Sequence, residues 1–211
     1  MARDLRAICE RLAELGVATV YEAAGRQGLI DCDLVQLLPG SRVAGPARTV
    51  SLGQSDNLMA HAVIERIQPG DVVVLAMPAE EPVGLIGELL VTQIQKREAA
   101  AVLSNGAMRD VEELEQMGLP IWSRFIRAKG ATKKVPGALD VPVVLGGTTI
   151  EPGDVIVLDA DGATCVPEAR LDEVLEKSEA RLERETAMRK RLQDGEMSID
   201  IHGLREAVER V

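Results

Sequence analysis

The amino-acid sequence predicts an α/β fold with a mixed β-sheet. Segments with helical periodicity alternate with short, apolar strand patterns, and an Asp161-Gly162 hairpin signal joins two of the later strands. Crossover helices join parallel strands and a hairpin joins antiparallel strands, so both kinds of pairing are expected. With 211 residues, 46% of them hydrophobic, the chain is long enough to bury one large core.

The first half of the chain alternates helix and strand. Apolar residues recur at helical spacing from Leu5 to Leu15, and a second helix can begin after Gly16. Ser55 and Asp56 are suited to cap a later helix, because short polar side chains accept hydrogen bonds from the first free amides. The predicted elements of this half are helices over 5–15 and 17–24, the strand SRVAGPARTVSL, a helix over 57–67 and the strand DVVVLAM.

The second half continues the alternation and ends in a long charged helix. We predict that PAEEPVGLIG is a loop and that the long helix runs from Glu168 to about Gly195. This divides the chain into an α/β domain, 1–167, and a C-terminal helical extension, 168–211. The elements between the loop and the long helix are the helix ELLVTQIQKRE, a strand over 101–103, the helix DVEELEQM and the strands LPIWSR, VPVVLGG and DVIVLDADGATCVP.

Composition argues against several classes of protein. The net charge of −10, without a basic stripe, disfavours nucleic acid as a partner, and 1% aromatic residues disfavour base stacking. The three cysteines, Cys9, Cys32 and Cys165, lack the spacing of a zinc site or a disulfide framework. No apolar run approaches the roughly 18 residues of a membrane span, and no export signal is present, so we expect a cytoplasmic protein without membrane contact.

The stretch AVLSNGAMRD places two opposite charges, Arg109 and Asp110, where a buried strand ends. Neighbouring side chains on an extended chain point to opposite faces, so the two need not neutralise each other. Ligands of open α/β folds collect beyond the carboxyl ends of strands. Since neither a dinucleotide-binding glycine motif nor a P-loop motif occurs, this pair is the first candidate site.

A second candidate is the glycine-containing loop GLIGELL. Gly84 and Gly87 let the backbone approach a ligand, and the amides of Leu89 and Leu90 at a helix start favour a small carboxylate. An ordinary helix start, with Glu88 favoured by the helix dipole, explains the same residues.

The spacing of the two motifs favours the functional interpretation. Twenty residues separate Glu88 from Arg109, which is enough for one helix and one strand that return the chain to the same sheet edge. The pocket would then hold amides and a guanidinium for an anionic substrate. The carboxylates of Glu88 and Asp110 would suit Mg²⁺ or Mn²⁺, which prefer oxygen ligands and retained water.

At these residues the sequence resembles the class II pyruvate aldolases that act on 4-hydroxy-4-methyl-2-oxoglutarate and 4-carboxy-4-hydroxy-2-oxoadipate. These enzymes share a fold with the RraA regulators of ribonuclease E. The signature Gly-[Asp/Glu]-x20-Arg-Asp is intact, from Gly87 to Asp110. The segments that also carry the resemblance are GVATVYEAAGRQGL, GSRVAGPARTV, SDNLMAHAVIERIQPGDVVVL, MGLPIWSR, VPVVLGG, EPGDVIVLDADG and GEMSIDIHGLRE.

The resemblance implies an RraA-like three-layer fold of the swivelling-domain type, with mixed sheets flanked by helices. It implies that Asp110 binds Mg²⁺ or Mn²⁺ directly and that Glu88 holds metal-bound water. Arg109, with the backbone around Gly87 and the amides of Leu89 and Leu90, would bind the pyruvoyl end. Arg109 would also stabilise the enolate, so no Schiff-base lysine is required.

Two more site residues follow from one helix face. Asn57 and His61 are four residues apart and share a face of the predicted helix. The resemblance places Asn57 among the substrate ligands and His61 beside it. A lone helical histidine is also commonly a structural residue, so for His61 both interpretations stay open.

The C-terminal helix carries a carboxylate at an inward position. Its predicted inward stripe is Leu171, Leu175, Ser178, Leu182 and Glu185. Fraying of the stripe into solvent explains Glu185 as well as a buried partner does. In the resembling aldolases, however, a C-terminal glutamate of the adjoining subunit completes each metal site through water. The resemblance thus implies a homotrimer or a dimer of trimers, with Glu185 as the first candidate and Glu183 as the second.

Three residues depart from the family pattern. Asn105 stands where many relatives have Asp, His202 replaces a frequent aromatic residue, and Tyr21 stands where some aldolases have His. None of them removes a predicted metal or pyruvate ligand, but Tyr21 and His202 leave the distal group of the substrate open.

The resemblance implies a metal-dependent aldolase that releases pyruvate and a second 2-oxo acid from a small anionic 2-oxo acid, with oxaloacetate decarboxylation as a side activity. The alternatives are an RraA-like regulator that masks ribonuclease E by protein contact and a dedicated oxaloacetate decarboxylase. The regulators are typically shorter and lack the long C-terminal helix.

Overall fold

A computed structural model describes residues 4–210 and confirms the predicted α/β class with a mixed sheet. The helices are α1 (Leu5–Leu15), α2 (Val17–Ala23), α3 (Leu58–Ala62), α4 (Glu88–Lys96), α5 (Val111–Met117), α6 (Leu171–Gln193), α7 (Ser198–Ile201) and α8 (Arg205–Glu209). The strands are β1 (Val35–Gln36), β2 (Val43–Ser51), β3 (Val72–Ala76), β4 (Gly84–Ile86), β5 (Ala101–Met108), β6 (Ile121–Ile126), β7 (Ala138–Leu139), β8 (Val143–Leu145), β9 (Thr148–Ile150), β10 (Val155–Asp159) and β11 (Gly162–Val166). Within residues 4–210, no helix is both long and apolar enough to span a lipid bilayer.

The main sheet has the order β1-β6-β5-β3-β2-β10-β11. The inner strands β2, β3, β5 and β6 are parallel, as their helical crossovers require. The outer strands β1, β10 and β11 are antiparallel to their neighbours, β4 pairs with β5, and β7 pairs with β2. Strands β8 and β9 form a separate hairpin.

The main sheet is nearly closed by the segment 29–36. Leu29 pairs with Thr164 of β11, and Val35 pairs with Ser123 of β6, so this segment runs from one sheet edge to the other. The enclosed space is filled by an apolar cluster that contains Trp122 and residues of the β8–β9 hairpin. This cluster holds the two sides of the sheet together.

Both faces of the central strands are buried, which gives the layered arrangement. Along β3, Val72 and Val74 enter the enclosed cluster, whereas Val73 and Leu75 pack in the cluster formed with α3 and α4. Side chains alternate between the faces of a strand, so an uninterrupted apolar run is expected where both faces are covered. The structure confirms the three-layer arrangement that the resemblance implied.

The third layer packs against β10 and β11 and consists of α1, α2 and the beginning of α6. Leu171, Val174 and Ser178 are the buried residues of α6, and the rest of this helix is partly or fully exposed. The proposed boundary between 167 and 168 falls just after β11.

Several element boundaries differ from the prediction, four of them near the cleft or at the sheet edge. The helix predicted over 57–67 ends at Ala62 and continues as a 3₁₀ turn, in which the Arg66 amide donates to the Val63 carbonyl over 2.8 Å. The predicted loop contains β4, and the strand predicted over 101–103 continues to Met108. The β10–β11 turn lies at 160–161, so Gly162 begins β11 instead of sitting in the turn. The strand β4 is short and its pairing with β5 is irregular, so it carries little periodicity to detect.

Candidate active site

A cleft of about 430 Å³ lies beyond the carboxyl ends of β4 and β5, and its volume is in the range of small-molecule sites. All of the residues that the sequence placed in the pocket of a single chain line it. They are Asn57, His61, Gly87, Glu88, Leu89, Leu90, Arg109 and Asp110.

Arg109 and Asp110, at the end of β5, are positioned by contacts with the loop GLIGELL. The Arg109 amide donates to the Ile86 carbonyl over 3.1 Å, which fixes the end of β5 beside the end of β4. Asp110 precedes α5 in the left-handed region, with φ of 58°, a conformation that Asp tolerates better than most residues. Its Oδ2 accepts a 3.1 Å hydrogen bond from the Glu88 amide. The predicted crossover therefore brings the starts of α4 and α5 together.

Three glycines leave the space that the Arg109 side chain occupies. A Cβ at Gly87 would lie 2.3 Å from Oδ2 of Asp110 and 3.1 Å from Cγ of Arg109. A Cβ at Gly84 would lie 3.3 Å from Cδ of Arg109, and one at Gly130 would lie 3.4 Å from its Nη1. Gly87 has an extended backbone, so it is required here for space. Any side chain at Gly87 would displace the Arg109–Asp110 pair.

Arg109 and Asp110 contact each other only loosely. The Nε of Arg109 lies 3.7 Å from Oδ2 of Asp110, and the two side chains are 47% and 40% exposed. This distance exceeds that of a hydrogen bond. Both charged groups therefore keep most of their bonding capacity for other partners, as their adjacency at a strand end suggested.

The cleft also presents uncharged polar groups without partners. Asn57 is only 7% exposed, and its Nδ2 donates to the Leu85 carbonyl over 2.9 Å. Its Oδ1 has no hydrogen-bond partner among residues 4–210. The amides of Leu89 and Leu90 lie in the first turn of α4, where no intrahelical acceptor is available. Because an unmet buried acceptor is costly, Asn57 is suited to accept a hydrogen bond from a ligand or bound water.

His61 and two residues that sequence reasoning missed complete the wall. Burial, and secondly the charge of Lys133, lower the pKa of His61, so its imidazole is neutral at pH 7. Lys133 and Glu113 also line the cleft. Glu113 sits in the first turn of α5 three residues after Asp110, and this spacing was the signal that could have found it. Lys133 lies in an irregular segment, where periodicity gives no signal.

The segment that carries Lys133 is fixed by Asp56. The buried Asp56 carboxylate accepts hydrogen bonds from the Thr132 hydroxyl at 2.5 Å and from the Lys134 amide at 2.7 Å. Burial alone would raise the pKa of Asp56, but the hydrogen bonds from Lys134, Thr132, Leu58 and Val135 outweigh it and hold the pKa well below its usual range. Asp56 thus stays ionised and fixes the position of the segment that carries Lys133.

The three departures from the family pattern lie outside the cleft. Asn105 donates to the Met77 carbonyl over 2.9 Å and accepts from its amide over 2.8 Å. An ionised aspartate could not make the donating contact, so Asn105 stabilises the β3–β5 pair. Tyr21 lies in α2 and His202 follows α7, away from the residues that line the cleft.

The C-terminal candidates also lie outside the cleft of their own chain. Glu185 forms a 2.8 Å ion pair with Arg181 one turn earlier on α6. Glu183 lies on an exposed part of the same helix. Neither residue lines the cleft, so within one chain they are separate from Asp110.

The oxygen ligands of the cleft fit a hydrated divalent cation. The carboxylates of Glu88, Asp110 and Glu113 line the cleft, and Oδ1 of Asn57 is unpaired. Across residues 4–210, no group of three or more His, Cys, Asp or Glu side chains is clustered tightly enough to hold a metal. Mg²⁺ is commonly held by one or two carboxylates while it retains water, so this ligand set fits Mg²⁺ or Mn²⁺ bound in that way.

Comparisons with known proteins agree with the fold. Residues 13–165 match the family model for RraA-like proteins, described as Aldolase/RraA. A protein of Halalkalibacterium halodurans with the provisional name 4-hydroxy-4-methyl-2-oxoglutarate aldolase is 31% identical over 158 residues, 75% of each chain. A Burkholderia mallei protein with the same provisional name is 32% identical over 131 residues, 62% of this chain and 79% of that protein.

A solved structure gives a further comparison. The crystal structure of Streptomyces coelicolor RraAS2, described as an unusual member of the RNase ES inhibitor RraA family, has a TM-score of 0.77 at 28% identity. The match covers 88% of this chain and 98% of that chain. The likeness therefore spans most of both chains.

Proposed function

Because the chain belongs to the Aldolase/RraA family, we propose that it is a divalent-metal-dependent lyase of the class II pyruvate aldolase type. It cleaves a 4-hydroxy-2-oxo acid with a second carboxylate, such as 4-hydroxy-4-methyl-2-oxoglutarate or 4-carboxy-4-hydroxy-2-oxoadipate, to pyruvate and a second 2-oxo acid. The observation that supports this most directly is the meeting of Arg109, the free amides of α4 and the Asp110 carboxylate in one cleft.

Each part of the cleft has a chemical task in this proposal. The amides of Leu89 and Leu90 bind the carboxylate of the pyruvoyl end. Asp110, with Glu88 acting through water, would hold Mg²⁺ or Mn²⁺, and the bound ion would supply Lewis-acid polarisation of the 2-oxo group. Arg109 stabilises the negative charge that develops on the enolate oxygen as the carbon–carbon bond breaks. A water or hydroxide near Arg109 accepts the C4 hydroxyl proton.

Oxaloacetate decarboxylation is part of the same proposal. Loss of CO₂ from oxaloacetate leaves the same pyruvate enolate as aldol cleavage does. The groups that stabilise this enolate are therefore used in both reactions, and both should depend on the metal.

Chelation is expected to stop both reactions. Pyruvate release from a panel of 4-hydroxy-2-oxo acids and from oxaloacetate should occur with Mg²⁺ or Mn²⁺, stop with EDTA and return when metal is restored. Borohydride treatment with pyruvate should label no lysine, because Arg109 and the metal replace a Schiff base. A covalent lysine adduct, or full activity in EDTA, would contradict the proposed mechanism.

We also propose that the active unit is a homotrimer or a dimer of trimers, with Glu185 reaching the water ligands of a neighbouring subunit's metal. Its placement on α6, away from its own cleft, supports this arrangement. A site shared between subunits predicts complementation. Asp110→Ala and Glu185→Ala should each be nearly inactive alone and should recover activity when co-expressed, because a mixed oligomer contains sites with both carboxylates.

The complementation test needs evidence that mixed oligomers form. Differently tagged subunits should co-purify, and the activity of the mixture should exceed the sum of the two parents. If co-purified mixtures stay at the parental level, Glu185 has no role in a neighbouring site, and Glu183→Ala is the next variant to combine with Asp110→Ala.

The likeness to RraAS2 supports one other candidate, a regulator that binds a ribonuclease by protein contact. This candidate predicts inhibition of an RNase E-type enzyme that survives loss of Arg109. The aldolase proposal predicts turnover that does not survive it. Oxaloacetate as the sole cleaved substrate would identify a dedicated decarboxylase instead.

A further inference from the structure

Lys133 is a cation in the cleft, and it has no ionic partner among residues 4–210. Within residues 4–210 it forms neither an ion pair nor a side-chain hydrogen bond, although it lines the cleft with Asn57 and His61. Lys129, in the same segment, is instead paired with Glu81 at 2.7 Å. The segment thus holds one neutralised lysine and one lysine whose charge is available to a ligand.

The backbone on both sides of Lys133 is fixed. The hydroxyl of Thr132 and the amides of Lys134 and Val135 donate to the buried Asp56 carboxylate. The backbone amide of Asn57 also donates to the Thr132 carbonyl, over 2.9 Å, and so connects α3 to this segment. The backbone that carries Lys133 is therefore already ordered, which lowers the conformational entropy lost when Lys133 binds a ligand.

Lys133 and Asp110 lie on different segments of the chain that line the cleft. The side chain of Asn57, which lines the cleft with Lys133, donates to the Leu85 carbonyl, whereas Asp110 accepts from the backbone amide of Glu88. Leu85 and Glu88 are three residues apart in the chain. Three residues of extended chain reach at most about 10 Å. The Arg109 side chain lies between these two ends, since it contacts the space beside both Gly87 and Gly130. A ligand held at Asp110 and Arg109 would extend toward Lys133 and His61.

We propose that Lys133 binds the second carboxylate of the substrate and so selects 4-hydroxy-2-oxo acids that carry one at C4. This inference rests on the proposed function and assigns a specificity-determining residue to it. An ammonium group without a competing carboxylate can give a substrate carboxylate a charge-assisted hydrogen bond, which an uncharged methyl group cannot accept. The neutral imidazole of His61 adds a polar contact at this end without a second charge.

The test compares two substrates that differ only at the proposed contact. These are 4-hydroxy-4-methyl-2-oxoglutarate and 4-hydroxy-4-methyl-2-oxopentanoate, in which a methyl group replaces the C4 carboxylate. Lys133→Met should lower kcat/KM for the dicarboxylate by roughly 10- to 100-fold, as loss of one charge-assisted hydrogen bond does. It should leave kcat/KM for the monocarboxylate within about twofold, which also shows that the variant is folded.

Two further variants control the experiment. Lys133→Arg should keep the preference for the dicarboxylate, since it keeps the charge. Lys134→Met removes the adjacent lysine, which does not line the cleft, and should resemble the wild type for both substrates. Equal losses on both substrates, or no loss on either, would overturn the assignment of Lys133.

A binding experiment separates this inference from the proposed reaction. Calorimetry with Mg²⁺ compares 2-oxoglutarate with 2-oxopentanoate, which differ in the same way and need no turnover. Lys133→Met should weaken 2-oxoglutarate binding roughly 10-fold or more and leave 2-oxopentanoate unchanged. Suppose that the wild type cleaves neither 4-hydroxy-2-oxo acid, yet Lys133→Met still weakens only 2-oxoglutarate binding. That result would refute the aldolase proposal alone. Unchanged 2-oxoglutarate binding in Lys133→Met would refute the Lys133 inference alone.

Discussion

Asp110→Asn should lower metal-dependent turnover by about a thousandfold or more, because Lewis-acid polarisation contributes several kcal/mol to such reactions. Asparagine is the sharpest replacement at this position. It tolerates the left-handed backbone that Asp110 adopts, and its side-chain oxygen can still accept the hydrogen bond from the Glu88 amide. The variant therefore removes the negative charge and leaves the junction of α4 and α5 in place.

The measurement is kcat/KM for pyruvate release over a range of Mg²⁺ and Mn²⁺ concentrations, together with metal affinity by calorimetry. Glu112→Gln is a matched control, because it removes a charge from the same first turn of α5 at a residue that does not line the cleft. It should keep near-wild-type activity. Turnover by Asp110→Asn close to that of wild type at saturating metal would show that Asp110 is not the metal ligand.

The residues that the sequence places together by local chemistry lie in one cleft. The interval between Glu88 and Arg109 required a crossover, and the structure places both residues in one cleft. The sequence predicts a close backbone approach at Gly87, and in the structure a Cβ there would lie only 2.3 Å from Oδ2 of Asp110. Asn57 and His61 were predicted from a shared helix face, and both line the cleft although the helix is shorter than expected.

The parts that sequence reasoning missed depend on contacts between distant segments. Thr132 and Asp56 are 76 residues apart, yet their hydrogen bond sets the wall that carries Lys133. No periodicity marks such an irregular segment in advance. Gly130 was missed for the same reason, since it matters only because Arg109 lies against it. The strand β4 was predicted as a loop because three residues beside a β-bulge give too short a pattern.

Within one chain, the predicted inward stripe of the C-terminal helix is buried mainly at its beginning. The predicted stripe begins as expected, with Leu171 and Ser178 buried, and Leu182 packs partly against the same cluster. Beyond it, Glu185 pairs with Arg181 on its own helix. Such a partly exposed pair contributes little to stability, so it does not prevent Glu185 from binding elsewhere in an oligomer.

Arg109→Ala should lower kcat/KM by roughly 100- to 1000-fold, the cost of removing one preorganised group that stabilises developing negative charge. Aldol cleavage and oxaloacetate decarboxylation should fall by similar factors, because the same enolate forms in both. Metal affinity should stay near that of wild type, since Asp110 and Glu88 remain. Arg109→Lys should recover only part of the loss, because lysine keeps the charge but lacks the planar guanidinium.

A nearby arginine provides the control for Arg109. Arg127 donates to the Ile126 carbonyl over 2.7 Å and does not line the cleft, so Arg127→Ala should leave both reactions nearly unchanged. If Arg109→Ala weakened metal binding as much as Asp110→Asn, its loss of activity would reflect a disturbed metal site. If aldol cleavage fell while decarboxylation did not, Arg109 would act on the leaving 2-oxo acid. Only parallel losses with intact metal binding place the guanidinium at the enolate oxygen that the two reactions share.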